Sequence, residues 1–150
     1  MNNLKELSRK EKKILLKKIE GQYGISSLKI NYIFLKNNEN KIFVINKNLK
    51  NVNLENIRIN SIGLYFCRLE NELRLTIEGS QIIGPFAKKN VIDISEDQSS
   101  EWLAGNDLEN IKEHYDETFV IIRNKKDFIG TGKYKDGKIL NYVPKERRIK

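Results

Sequence analysis

The hydrophobic pattern begins at helical spacing. Ser8-Arg9-Lys10-Glu11 has the S-x-x-E form of a capping box, in which the serine oxygen accepts from the amide three residues on and the glutamate reaches back. Behind it, Ile14, Leu15 and Ile19 share a face, and Leu4 or Leu7 is placed to pack back on the first turn. Lys10, Lys12, Lys13, Lys17 and Lys18 fill the other face and read as solvated. Gly21 and Gly24 are natural stops, so a helix is predicted from about Arg9 to Glu20.

The period then shortens to two. Leu28, Ile30, Tyr32 and Phe34 alternate, and 41–46 (KIFVIN) is apolar and β-branched, with a turn-rich Asn37–Asn40 between them. That predicts a hairpin. Residues 47–60 are Asn-rich and fit a short irregular helix or a loop. Residues 61–69 and 72–79 predict a second hairpin across Glu70-Asn71, since Leu73, Leu75 and Ile77 alternate with Arg74, Thr76 and Glu78. Gly84-Pro85 breaks the pattern, which places a domain boundary between 1–87 and 88–150. Beyond it come a short strand (91–95), a serine-capped helical turn ending at Gly105 (99–107), and three strands at 118–123, 127–134 and 138–144. Lys125-Lys126 and Lys135-Asp136-Gly137 form the turns between the last three. Gly130-Thr131-Gly132 lies inside a strand with no helix after it, so it predicts a bulge or a close backbone approach rather than a dinucleotide loop.

Composition narrows the chemistry. With 150 residues, 39% hydrophobic and 32% charged, the chain can bury a core in one or two small domains. One cysteine and one histidine exclude a disulfide framework and a Cys-rich or multi-His metal centre. Cys67 sits in an apolar strand pattern and reads as a buried thiol, and His114 reads as a surface residue. There is no P-loop and no G-x-S-x-G, and no nucleophile, base and metal set can be assembled. Neither enzymatic activity nor a cofactor is expected. The first residues are too polar for a signal peptide, and no apolar run approaches the roughly 20 residues of a membrane helix. A cytoplasmic location without membrane contact is the expectation.

The net charge of +8 favours polyanions, and its distribution says more. Asp93–Glu117 holds nine acidic residues and one lysine, while Thr118–Lys150 holds ten basic and three acidic ones. Two such blocks can pair with each other, or repel an anion from one face and steer it to another. Arg123, Lys125, Lys126, Lys133, Lys135, Lys138, Lys145, Arg147 and Arg148 fall on neighbouring strands and turns, interleaved with Tyr134, Asn141 and Tyr142. Cations can neutralise phosphates, amides can read base edges, and an exposed tyrosine can stack on an unpaired base.

Two stretches carry a family likeness. WLAGNDL (102–108), between a short strand and a basic β-rich tail, resembles the helix-to-loop element of PUA domains. In 127–148, Gly130, Gly132, Lys133, Gly137, Lys138, Asn141, Pro144 and Lys145 resemble the PUA-like tail of the Nol–Nop–Sun (Fmu) rRNA 5-methylcytosine methyltransferases. The earlier part resembles the PUA-domain ribosome biogenesis factor family of archaea and eukaryotes. That likeness rests on Gly63, Phe66, Arg68, Leu73, Arg74, Leu75 and Ile77, and on the junction Pro85-Phe86-Ala87-Lys88. No S-adenosylmethionine loop accompanies the lone Cys67, so the resemblance implies RNA binding without methyl transfer. It also implies an α+β fold: a small N-terminal α/β domain with antiparallel strands, followed by a PUA-like β-barrel. The implied partner is rRNA or pre-rRNA, with a methyltransferase or ribosome assembly factor alongside. The expected contacts are Gly105, where the backbone can approach RNA, with Arg123, Lys125, Lys126, Lys133, Lys138, Asn141, Lys145, Arg147 and Arg148. A subunit presenting tRNA to a modification enzyme, or an adaptor docking a basic protein on the acidic block, are the alternatives.

Overall fold

A computed structural model describes residues 4–47 and 63–149. The Asn-rich stretch from 48 to 60, the start of the predicted 61–69 strand and Lys150 lie outside these residues. The order is β1 (Lys5–Glu6), α1 (Arg9–Tyr23), β2 (Tyr32–Lys36), β3 (Lys41–Asn46), β4 (Leu64–Leu69), β5 (Leu73–Leu75), α2 (Ile77–Ile83), β6 (Val91–Asp93), α3 (Glu96–Leu103), β7 (Phe119–Asn124), β8 (Asp127–Lys135) and β9 (Lys138–Asn141). Short 3-10 turns follow α2 at Gly84–Phe86 and close the chain at Lys145–Arg147.

The capping box forms as its residues dictate: Glu11 N donates to Ser8 Oγ (3.1 Å) and Ser8 N to Glu11 Oε1 (2.9 Å). α1 runs to Tyr23 and ends on Gly24, left-handed at φ 65°. The first predicted strand starts later than its alternation suggests. The Glu20 carboxylate accepts from Leu28 N (2.7 Å), which holds 28–31 outside the sheet. β1 to β5 form one antiparallel sheet in sequence order.

The strand predicted for 72–79 stops at Leu75. Thr76 caps α2 instead, its hydroxyl accepting from Gly79 N (3.0 Å) and donating to Tyr65 O (2.6 Å). Gly79 is obligatory there, because a Cβ would stand 2.1 Å from the Phe66 carbonyl oxygen. Similarly, α3 begins before the predicted 99–107. Ser95 and Gln98 form a second capping box, and the helix is already one turn old at Ser99.

β6 to β9 make a second, four-stranded sheet in sequence order, with β6 parallel to β7 and the rest antiparallel. The described strands leave both sheets open, where a barrel was expected for the second part. The Asp136-Gly137 turn has both residues at positive φ (49° and 77°), as a type I′ hairpin requires. Opposite Ile122, β8 spends two residues, Ile129 and Gly130, and this bulge puts Gly130 at φ 110°. Gly132 meets the fully buried Trp102, so the two glycines serve the bulge and the close approach respectively.

Two cores result, and β7 divides them. Ile121 belongs to the first core, with Leu15, Ile19, Tyr23, Phe66 and Leu75, while Val120 and Ile122 join Trp102, Leu108, Tyr134 and Ile139 in the second. A strand buried on both faces must be apolar throughout, which is why FVII lacks alternation. The stretch at the expected domain boundary is tied into this wall. Lys88 N and Lys89 N donate to Tyr23 O, and buried Asn90 donates to Gln22 O (2.7 Å) and Asp116 Oδ2 (3.0 Å). Across the seam, Tyr23 Oη donates to Phe119 O (2.8 Å) and Thr131 Oγ1 to Leu75 O (2.7 Å). No described helix is long and apolar enough to cross a membrane.

Candidate nucleic-acid interface

The basic residues of the second part are set on strands and turns, and most face a carboxylate. Arg123 on β7 stands beside Asp93 on β6 and grips it with two bonds, Nε–Oδ1 2.5 Å and Nη2–Oδ2 2.9 Å. Those bonds hold the Asp93 carboxyl below its usual range. Lys125 pairs with Glu96 (3.1 Å), Lys138 with Glu109 (3.3 Å), Lys133 with Glu72, and Arg147 with Glu78 (2.7 Å). Lys126 and Lys145 have no carboxylate partner among the described residues, and both are exposed. The acidic block thus supplies partners to the basic tail, and Asp116 adds one for Lys89 (3.3 Å). Exposed pairs of this kind are worth about 0–1 kcal/mol, so a phosphate can replace the carboxylate at little cost.

These cations do not converge on one patch. Arg123 and Lys125 lie by β6 and α3, Lys138 beside Glu109, Lys133 against Glu72 in the turn before β5, and Arg147 against Glu78 on α2. Asn141 is spent internally. Its amide donates to Trp102 O (2.8 Å) and Asn106 O (2.9 Å), and its oxygen accepts from Val143 N (2.8 Å), so it has no group left to read a base. Gly105, at φ 101°, receives the chain's own Arg148: a Cβ would lie 2.6 Å from Arg148 Cδ. Arg148 Nε in turn donates to Val143 O (3.1 Å). The close approach expected for RNA at Gly105 is occupied by that arginine. Tyr134 is buried, with its hydroxyl on Glu113 O, and is no stacking platform.

Tyr142 does stand in the open, 41% exposed. It lines two adjoining cavities at the seam between the sheets, of about 390 and 420 Å³. Arg74 on β5 lines both as well, its guanidinium 5.1 Å from the Tyr142 ring centre. Lys41 on β3 sits 5.4 Å from the ring of Tyr65 on β4. Burial raises the Tyr65 phenol above its ordinary value, against the pull of the Arg74 guanidinium. Arg68 completes the first cavity, paired to Glu70 (2.9 Å). The strand register places Arg68 opposite Arg74, so two guanidinium groups leave the same sheet side by side.

Of the residues lining these cavities, Tyr142 was singled out from the sequence as a stacking candidate, whereas Arg68 and Arg74 entered only through the likeness of the earlier part. Arg74 was legible as the polar position of an alternating strand, but nothing in its neighbours says that the seam with Tyr142 lies across from it. Elsewhere, buried Cys67 has its thiol pushed up by desolvation, and His114 is exposed. No three His, Cys, Asp or Glu side chains among the described residues are placed to hold a metal ion.

Residues 89–149 match the profile of the methyltransferase RsmF PUA domain. The PUA-like segment begins just before β6 and runs through the last 3-10 turn. It contains the whole second core, and its β7 buries Ile121 in the first. The match does not extend to residues 1–88, where the likeness to ribosome biogenesis factors was expected. No curated protein matches the chain.

Proposed function

We propose that the chain binds structured RNA through its PUA-like segment and serves a methyltransferase acting in trans, with rRNA or its precursor as the RNA. The match of residues 89–149 to the RsmF PUA domain carries this reading, because that is an RNA-methyltransferase type of module and it takes in the basic strands and turns after Glu117. The surface chemistry agrees with it. Lys126 and Lys145 have no carboxylate partner among the described residues, and Arg123, Lys125, Lys138 and Arg147 sit in solvent-accessible ion pairs that phosphates can displace. The chain's part is to hold the RNA, and the methyl transfer belongs to the partner.

Fluorescence anisotropy with labelled rRNA fragments, total tRNA and polyglutamate tests this. The expected result is binding to rRNA fragments at physiological salt, with polyglutamate a poor competitor. Tighter binding to tRNA would move the assignment to a tRNA-presenting subunit. Equal competition by polyglutamate would refute nucleic-acid recognition.

A further inference from the structure

We infer that the seam between the two sheets holds one unpaired nucleotide of the bound RNA, its base stacked on the Arg74–Tyr142 pair. The inference rests on the RNA-binding reading and goes beyond it, because half of the site comes from residues outside the PUA-like segment.

Charge pairing in the seam separates this occupant from a duplex backbone. Arg68, Lys133 and Arg147 are taken up by Glu70, Glu72 and Glu78. Phosphates set in a row here would meet those three carboxylates and that of Glu146 beside the cations. Lys41 and Arg74 differ: each lies over an aromatic ring and has no carboxylate partner among the described residues. A cation over a ring is a ready platform for another planar group, since guanidinium, phenol and base all stack face to face. The cavities, at about 390 and 420 Å³, fall within the ~300–1,000 Å³ of ordinary small-molecule sites. Arg74 and Tyr142 line both, so a base set against them has room for its sugar and phosphate on one side or the other.

The polar rim suits a base edge. Glu146 lines the larger cavity, is exposed, and has no ion-pair partner among the described residues. A carboxylate accepts from the amino and imino groups of bases and repels phosphate. Lys41, on the same cavity, supplies a donor. Paired bases present neither their faces nor their Watson–Crick edges, so the site selects single-stranded or looped RNA.

The test uses the full chain, a short unstructured RNA carrying 2-aminopurine, and a blunt RNA duplex of equal length. Wild type should quench the 2-aminopurine emission on binding. Tyr142→Ala should weaken single-strand binding about tenfold and relieve the quench, while duplex affinity stays unchanged. Tyr142→Phe should keep both, because the face and not the hydroxyl is used. Arg74→Lys retains the charge and should still lose part of the quench. Thermal melts of each variant separate loss of binding from loss of fold. If wild type binds RNA but Tyr142→Ala and Arg74→Lys leave single-strand affinity and quench intact, the seam site is wrong while the RNA-binding reading stands. Preference for the duplex would overturn it in the same way. Failure of wild type to bind either RNA would overturn both.

Discussion

Gly132→Ala tests how the second core is closed. A Cβ at this position would lie 2.4 Å from Trp102 Cη2, 2.5 Å from Ile139 Cγ2 and 2.7 Å from the Leu140 carbonyl oxygen. None of the three can yield easily. Trp102 is fully buried with its indole N–H on Ile129 O (3.3 Å), Ile139 is fully buried, and the Leu140 carbonyl belongs to the strand paired with β8. Overpacking at a well-filled site costs about 1–3 kcal/mol, and three simultaneous clashes put this variant at or above the top of that range. For a domain of this size that is a fall in Tm of roughly 10 °C. Trp102 is the chain's one tryptophan, so its emission reports the affected site directly alongside far-UV circular dichroism. Gly137→Ala is the control. Its Cβ would meet nothing nearer than 3.5 Å, and the cost is the roughly 1–2 kcal/mol of left-handed backbone alone. A Gly132→Ala protein that melts with wild type, or less affected than Gly137→Ala, would refute the packing of Trp102 on β8.

Other consequences are as direct. Tyr23→Phe removes the buried bond to Phe119 O and should cost about 1 kcal/mol in urea unfolding; no loss would mean that the seam bond is idle. The Glu11 carboxyl is held at about 2, first by its bond to Lys36 and then by the Ser8 amide, against an ordinary 4.5. Its folded pKa is depressed, so its contribution is complete above pH 4.5 and lost as pH falls toward 2; Glu11→Gln should differ from wild type in denaturation midpoint at neutral pH and converge with it in that window. Cys67 is buried with a raised pKa, so native protein should resist thiol reagents and labelling should follow global unfolding; rapid labelling in native buffer would contradict its burial.

Much of the fold was legible because local chemistry and tertiary context agree. The Ser8–Glu11 box, the Asn37–Asn40 turn and the Asp136-Gly137 hairpin each specify their geometry within a few residues. Where reading failed, a local signal was overruled or overlooked. Leu73, Leu75 and Ile77 alternate as a strand does, but Thr76 caps a helix because Tyr65 and Phe66 on the neighbouring strand supply carbonyls for its hydroxyl. Ser95 and Gln98 form a box of the Ser8–Glu11 type, one turn ahead of the serines taken as the start of α3.

The candidate site divides in the same way. Its cations could be counted from the sequence, but their carboxylate partners could not. Arg147 finds Glu78 and Lys133 finds Glu72 across more than sixty residues of chain, and Arg74 meets Tyr142 only because the sheets share a wall. Asn141 and Gly105 looked like contact residues because both belong to a recurring motif. In the structure the first fastens the 102–106 turn to β9, and the second makes room for Arg148.

The measurement closest to the central claim is the salt dependence of binding to an rRNA fragment by the wild-type chain and Arg147→Ala. Each phosphate neutralised contributes about 0.7–0.9 to the slope of log K against log [salt]. If the exposed cations exchange their carboxylates for RNA, the wild-type slope corresponds to several phosphates and Arg147→Ala lowers it by close to one such step. A flat salt series, or a slope that Arg147→Ala leaves unchanged together with the affinity, would contradict the account.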